Sequence, residues 1–335
     1  MGGRPISQLK DPLIILTGGA GFIGSAFLWK LNQLGEKNII VVDHDDSPVK
    51  MENLKSLAYI DYQEKDVFIK NLQDGKVSNN IKAIFHIGAC SATTETDAEY
   101  LKRNNFEYSK TLAEWSLKNN IPFFYASSAA TYGDGSLGYS DEDTATPKYK
   151  PLNLYGLSKQ QFDLWLLENG LANKVVGFKY FNVFGPNEYH KEDMRSLVVK
   201  AYEQIKRDGK IRLFKSYKPE YKDGEQKRDF VYVKDVVELM YYFYTHPKIK
   251  GIYNIGTGQA RTWNDLAGAI FSALGMKPVI EYIEMPAAIK DKYQYYTEAE
   301  LKKLHRAGIG FKFTPLEEAV ADYVVNYLEK SFARL

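Results

Sequence analysis

A chain of 335 residues is long enough for one large or two smaller domains with buried cores. Its hydrophobic fraction of 44% and charged fraction of 26% are those of an ordinary globular protein, and a net charge of +2 gives no reason to expect nucleic acid or an anionic membrane as partner. The single cysteine, Cys90, excludes an internal disulfide and a cysteine-built metal cluster; no apolar run approaches the ~20 residues that span a bilayer.

Met1 to Asp11 lacks the apolar h-region of a secretory signal, so a soluble, cytoplasmic protein without a bound metal is expected. Leu13-Ile14-Ile15-Leu16-Thr17 is a short apolar run that ends in Gly18-Gly19-Ala20-Gly21-Phe22-Ile23-Gly24. Phe22, Ile23, Phe27, Leu28, Leu31 and Leu34 then recur at helical spacing, and Asn38 to Val42 reads as a second buried strand ending in Asp43. Strand, glycine loop, helix, strand and acid together form the dinucleotide-binding pattern. Gly18 allows the tight turn, Gly21 the approach of backbone to a pyrophosphate, and Gly24 the close packing of helix on strand. The helix N-terminus offers N–H groups and positive potential to phosphates. Asp43 falls where ribose hydroxyls sit and favours a free 2′-hydroxyl, hence NAD. His44 and Lys50 follow closely and are candidates for a 2′-phosphate, hence NADP; a solvated loop lysine is the alternative for Lys50.

Ala83 to Ile87 and Pro122 to Ala126 read as further strands, with a helix from about Thr96 to Asn119 between them. The first ends in Gly88-Ala89-Cys90-Ser91, small residues at the strand edge where doubly wound sheets bind ligands. Cys90 has no histidine or base beside it and reads as a spacer near the cofactor. The second strand ends in Ser127-Ser128, whose hydroxyls either bond a reacting oxygen or cap the turn. Asp134 to Pro151 is a polar loop long enough to form part of a site's rim.

Asn153-Leu154-Tyr155-Gly156-Leu157-Ser158-Lys159 then sets a tyrosine and a lysine four residues apart, on one helix face about a turn from each other. An ammonium beside a phenol favours the phenolate and lowers a pKa ordinarily about 10, which makes the tyrosine useful as an acid or base. Val175 to Phe181 is the next strand. Later come a helix from Ser196 to Arg207, a strand Ile211 to Phe214, a charged loop Ser216 to Lys227, and Arg228 to Val237 leading into another helix. Gly251 to Gly258 reads as one more strand returning to the sheet, and Thr262 to Leu335 as helical with short strands. The expected fold is α/β: a Rossmann-type doubly wound parallel sheet with a smaller, mostly α-helical C-terminal substrate domain. Its division is residues 1–180, with 229–258 returning, for the dinucleotide, and 181–228 with 259–335 for the substrate.

With the glycine loop, Ser127-Ser128, Tyr155/Lys159 and Arg228-Asp229-Phe230-Val231 in this order, the chain resembles the extended short-chain dehydrogenase/reductases that act on nucleotide sugars. Gly88-Ala89-Cys90-Ser91 with Thr93-Thr94-Glu95, Asn104-Asn105, Ala126 to Gly133, and Tyr180 to Lys191 narrow the resemblance to the ADP-L-glycero-D-manno-heptose 6-epimerases. That resemblance implies oxidation of a heptose C6″ hydroxyl to a transient aldehyde by bound NADP (NAD being possible), rotation, and return of the hydride to the other face. It implies Tyr155 and Lys191 as the two acid/base groups, Lys159 as the partner of Tyr155, and Ser128 as the hydroxyl that orients the substrate oxygen. Cofactor positions carried over are Phe22, Ile23, Asp43, His44, Lys50, Lys65, Ile87, Gly88, Ala89, Cys90, Ser91, Asn104, Lys159 and Val183, beside the glycines Gly18, Gly21 and Gly24. Substrate positions are Ser128, Asn182, Asp193, Lys200, Phe214, Arg228 and Tyr293. The chain departs from the family pattern at His44, Ile87, Asp193 and Lys200 and in a longer loop from Phe214 to Lys227. The resemblance also implies a homo-oligomer, commonly a pentamer.

Three rival readings have sequence tests. A 4,6-dehydratase of the same superfamily is expected to carry an Asp-Glu pair after the serines, where Ala129-Ala130 stand here; a 4-epimerase of UDP-sugars has no use for a second base like Lys191. A non-catalytic Rossmann regulator typically lacks the tyrosine or the lysine, and both are present.

Overall fold

The computed structural model describes residues 11–44, 47–290 and 293–335, so nearly all of the N-terminal segment read as lacking a signal lies outside the described residues. Seven strands form one sheet: β1 (Leu13–Thr17), β2 (Ile39–Asp43), β3 (Asp61–Glu64), β4 (Ile81–His86), β5 (Phe123–Ser128), β6 (Val176–Tyr180) and β10 (Gly251–Ile255). Their order is β10-β6-β5-β4-β1-β2-β3, and every neighbouring pair is parallel. Beginning at β3, this is the doubly wound order, with the expected returning strand added beyond β6.

Continuous Val/Ile/Leu/Phe runs make strands that are buried on both faces. Successive residues of one strand therefore enter two different cores. Ile14, Leu16, Val41, Phe85 and Phe178 pack with α1 (Phe22–Gln33) and with the helix Val233–Thr245. Leu13, Ile15, Val42, Ile84 and Tyr125 face the other way, against α2 (Lys65–Gln73), α3 (Tyr108–Lys118) and α4 (Leu154–Glu168). The result is three layers.

β3 was not expected. It is Asp-Tyr-Gln-Glu at the sheet's edge and only half-buried, so it carries no apolar signal. The helix expected over 96–119 is interrupted: after one turn at Ala98–Leu101, residues Lys102–Glu107 widen into a π-turn before α3. π-turns of this kind cluster at functional sites.

Beyond β6 the small sheets begin. β7 (Asn182–Phe184) pairs parallel with β9 (Lys227–Tyr232), which pairs antiparallel with β11 (Ala260–Thr262). β8 (Ile211–Phe214) and β12 (Ile280–Ile283) form a parallel pair. α5 (Leu197–Asp208), α6 (Val233–Thr245), α7 (Trp263–Ala273) and α8 (Leu316–Tyr323) join the core that contains α1. The loop from Asp134 to Pro151 reaches the cavity only at its end, Pro151. Its Tyr139 and Tyr149 pack with Tyr132 and Phe181 in a separate aromatic cluster, so the loop braces the sheet more than it rims the site. No described helix is long and apolar enough to cross a membrane.

Candidate active site

One large cavity, about 1700 Å³, runs along the carboxyl ends of the strands, where doubly wound folds take their ligands. All seventeen cofactor positions expected from sequence line it. At its floor the glycine loop is shaped by contact. Gly18 has φ 70°, and a Cβ there would come within 2.5 Å of Gly88; a Cβ on Gly24 would meet the Gly18 carbonyl at 2.0 Å. Gly18 N–H donates to Val42 O at 2.7 Å, and Ser25 N–H to Gly21 O at 2.9 Å, so the loop turns directly into α1. This leaves the start of α1 without a side-chain cap, facing the cavity and suited to a pyrophosphate.

Asp43, at the end of β2, accepts from Ala20 N at 2.9 Å and from His44 N at 2.7 Å. Lys50 Nζ reaches the same carboxylate at 2.7 Å. The acid is thus neutralised by the lysine that sequence set against it. Lys65 pairs with Asp66 at 2.9 Å. Among the described residues no cluster of three or more His, Cys, Asp or Glu could hold a metal ion.

Ser128, Tyr155 and Lys159 all line this cavity. Asn153 Oδ1 caps α4 by accepting from Gly156 N at 2.8 Å. A Cβ on Gly156 would stand 2.7 Å from Ala130 O, so glycine is what lets the helix approach the serine turn. Ser128 accepts from Ala130 N at 3.1 Å, which caps the turn, and it also lines the cavity. Ser127 turns inward to Asp163 at 2.7 Å.

The expectation that Lys159 depresses the Tyr155 phenol is not met. Burial is the largest influence and pushes the phenol up, with a hydrogen bond to Ser128 acting against it. Lys159 Nζ donates to Ala126 O at 2.8 Å, and burial draws its own pKa down to about 8 despite the nearby Asp163 carboxylate. The influences on the phenol are burial, the Ser128 hydrogen bond and the Cys90 thiol, and the Lys159 ammonium is not among them. Cys90 is half-buried with its thiol pushed up by burial, which suits a spacer and not a nucleophile.

Lys191 lines the same cavity, on the irregular turn Tyr189–Met194. Its Nζ lies 5.7 Å from the Phe22 ring centroid, and burial lowers its pKa while the Glu188 carboxylate opposes the shift. Asn182, Asp193, Arg228 and Tyr293 also line the cavity. Arg228 is buried between the rings of Trp263 and Tyr293, 5.5 and 5.2 Å away, and Tyr293 Oη accepts from Trp263 Nε1 at 2.8 Å. It makes no ion pair with Asp229, whose carboxylate is taken by Thr257, Gly258 and Ala299. Lys200 and Phe214, expected to touch substrate, are not among the residues that line the cavity. Lys200 donates to the Asp193 carbonyl, and Phe214 packs edge-on against Tyr293 at 6.3 Å.

Two groups that support the site were given no role from sequence. Asn105, on the π-turn, donates to Cys90 O and Ser158 Oγ, both at 3.0 Å, and accepts from Cys90 N at 2.9 Å. Asp163 accepts from Tyr125 Oη, Ser127 Oγ and Lys179 Nζ, with both partners of the ion pair fully buried. A charge inside an apolar strand, Val-Gly-Phe-Lys-Tyr, was the available signal for Lys179.

Residues 14–256 match the NAD dependent epimerase/dehydratase family. The chain is similar to the ADP-L-glycero-D-manno-heptose-6-epimerase of Nitratidesulfovibrio vulgaris, 52% identical over 316 residues that cover 94% of this chain and 98% of the relative. The enzyme of that name from Fusobacterium nucleatum is 48% identical over 327 residues, 95% of this chain and 98% of the relative. Among solved structures, the Helicobacter pylori ADP-L-glycero-D-manno-heptose-6-epimerase superposes with a TM-score of 0.77 at 26% identity, covering 95% of this chain and 96% of that one. A family match over most of the length, with relatives about half identical along it, reaches past the fold: the chain belongs to the NAD dependent epimerase/dehydratase family.

Proposed function

We propose that this chain interconverts ADP-D-glycero-D-manno-heptose and ADP-L-glycero-D-manno-heptose at C6″, the step that makes the heptose donor for the lipopolysaccharide core. The observation that carries this reading is that Tyr155, Ser128 and Lys191 line one cavity with the glycine loop, in a chain about half identical to enzymes of that name.

The cofactor, when bound, supplies a hydride acceptor and then a hydride donor at its nicotinamide. The chain's own residues do the rest. Ser128 orients the C6″ oxygen, and Tyr155 exchanges the hydroxyl proton in one direction of approach. Lys191 exchanges it after the C5″–C6″ bond has rotated, and desolvation lowers its pKa toward that task. Lys159 holds the nicotinamide ribose. Asn182, Asp193, Arg228 and Tyr293 hold the substrate, with the desolvated guanidinium of Arg228 suited to the diphosphate.

Within the nicotinamide cofactors, NADP is the reading that Lys50 supports, because its ammonium on Asp43 offsets the repulsion of a 2′-phosphate. The division into a dinucleotide unit (1–180 with 229–258) and a substrate unit (181–228 with 259–335), a homo-oligomer and a cytoplasmic location complete the reading. Sedimentation of the purified chain tests the oligomer.

The decisive experiment is incubation with ADP-D-glycero-D-manno-heptose and chromatographic resolution of the C6″ epimers. An equilibrium mixture is expected; substrate recovered unchanged, with cofactor bound, would remove this function. Mass spectrometry of the gently denatured protein should release NADP(H), and release of NAD(H) alone would mean that Asp43 outweighs Lys50.

A further inference from the structure

Two asparagines that the mechanism does not use, Asn53 and Asn187, lie between the glycine loop and the loop that carries Lys191. They are 1% and 0% exposed. Polar side chains at that depth are kept only with their hydrogen bonds made, so the destinations of those bonds are informative. Asn53 Nδ2 donates to Ala20 O in the glycine loop and to Asn187 O, each at 3.0 Å, and lies 3.3 Å from His190 Nδ1. Its Oδ1 accepts from Arg334 Nε at 3.0 Å. Asn187 Nδ2 donates to Ser25 Oγ on α1 at 3.0 Å, and its Oδ1 accepts from Leu335 N at 3.0 Å. No bond of either side chain closes a helix or a strand ladder; each joins the cofactor-binding turn, the Lys191 loop or the segment 334–335.

The backbone gives a second, independent sign. Lys191 is bracketed by non-glycine residues with positive φ, Asn187 at 78° and Glu192 at 46°. Such conformations are strained and persist only where their surroundings over-determine them. Asparagine is among the few side chains that tolerate this region. Past Lys191 the loop is tied again, since Glu188 accepts from Ser196 Oγ at 2.8 Å and Thr93 Oγ1 lies 3.8 Å from Met194 Sδ across the cavity.

We propose that Asn53 and Asn187 are positioning residues, a buried latch that fixes the Lys191 loop to the glycine loop and so holds Lys191 at a set place relative to the cofactor. This rests on Lys191 as the second acid/base group. The latch makes placement of the two a single event: whatever seats the glycine loop also seats the lysine. It also explains why Asn187 is neither glycine, which would leave the turn loose, nor a residue that resists φ 78°.

The test uses the full chain with the cofactor it retains. Asn187→Gly keeps the left-handed backbone accessible and removes the side-chain bonds; Asn187→Asp, which keeps the Leu335 acceptor and loses the donation to Ser25, serves if the glycine variant does not fold. The ionisation of Lys191 is followed by NMR after ¹³C reductive methylation, with its resonance assigned from Lys191→Arg. In the unsubstituted chain Lys191 should titrate below the solvent-exposed lysines, because it is desolvated and only Glu188 opposes the shift. In the Asn187 variant it should move back toward them, and kcat should fall tenfold or more, the scale on which a misplaced group lowers turnover. Cofactor retention should stay within about twofold in that variant and fall in Asn53→Ala, which also releases Ala20. A folded Asn187 variant with the Lys191 titration unchanged overturns the latch, whatever its kcat. If the titration moves but Lys191→Ala epimerises normally, the latch stands and the acid/base role of Lys191 is what fails.

Discussion

The cavity holds its two proposed acid/base groups in opposite ways. Tyr155 rides on α4, a regular helix capped by Asn153, with Lys159 one turn on and Asp163 another turn on to pin the helix to β5 and β6. Lys191 rides on an irregular turn whose position depends on Ala20, Ser25, Asn53 and the segment 334–335. The first geometry is local, and a four-residue spacing encodes it. The second exists only after distant parts of the chain have met. A platform that local should resist small changes at its surface and fail when its buried charges are broken; a latched loop should respond to each tie separately.

The largest effect is expected from breaking the platform. Asp163→Ala leaves the Lys179 ammonium buried without its carboxylate, and removing one partner of such a pair typically costs about 3–5 kcal/mol. Denaturant unfolding of the variant measures it, and a loss below about 1 kcal/mol would mean that the Thr131 hydroxyl, which accepts from Lys179 Nζ at 2.9 Å, compensates the ammonium. Next comes Tyr155→Phe. The phenol is proposed as a reacting group, so kcat should fall by about a hundredfold, ~2.7 kcal/mol, with bound cofactor unchanged. Turnover near that of the parent chain would move the proton chemistry elsewhere.

A pH experiment separates the two regions further. Lys159 has its folded pKa drawn down to about 8 from 10.5. Between those values the unfolded chain binds a proton that the folded chain has released, so this group's contribution to stability rises with pH across the window. Below pH ~8 both states are protonated and the penalty is constant. The unfolding free energy of the parent chain minus that of Lys159→Met should therefore increase from pH 8 to 10.5 in cofactor-free protein. A flat difference would place Lys159 in a wetter site than the platform implies.

The same contrast explains what could be read from the sequence. β1, the glycine loop, α1, β2 and Asp43 are consecutive, and each reports the next; all of them stand where the pattern put them. The Tyr155/Lys159 face follows from helical spacing. β3 could not be read because an edge strand of Asp-Tyr-Gln-Glu buries no continuous face. Lys200 and Phe214 were given to the cavity by position in a motif, yet whether a side chain lines it depends on packing between β8, α5 and the 293–295 stretch. Asn53 and Asn187 are 134 residues apart, and nothing in either neighbourhood announces the other. The depression of Tyr155 by Lys159 failed for a related reason: spacing supplies proximity, but desolvation is a property of the assembled site and acts on both groups.

The smallest and most discriminating effect is expected at Glu192. Its side chain is exposed, while its backbone sits at φ 46° and ψ −119°, a conformation that glycine adopts freely. Glu192→Gly relieves roughly 1–3 kcal/mol of strain and adds back roughly 0.5–1 kcal/mol of unfolded-state entropy. The net expectation is a gain of about 1 kcal/mol in unfolding free energy, with kcat within about twofold because Asn187, Glu188 and Met194 still tie the loop. Chemical denaturation and initial-rate assays on the same preparation read both numbers. A gain in stability with kcat intact would show that the strain at Glu192 is a by-product of seating the loop. If stability rises and kcat falls well beyond twofold, the strained residue itself aims Lys191, and the loop is held by tension as well as by its latch.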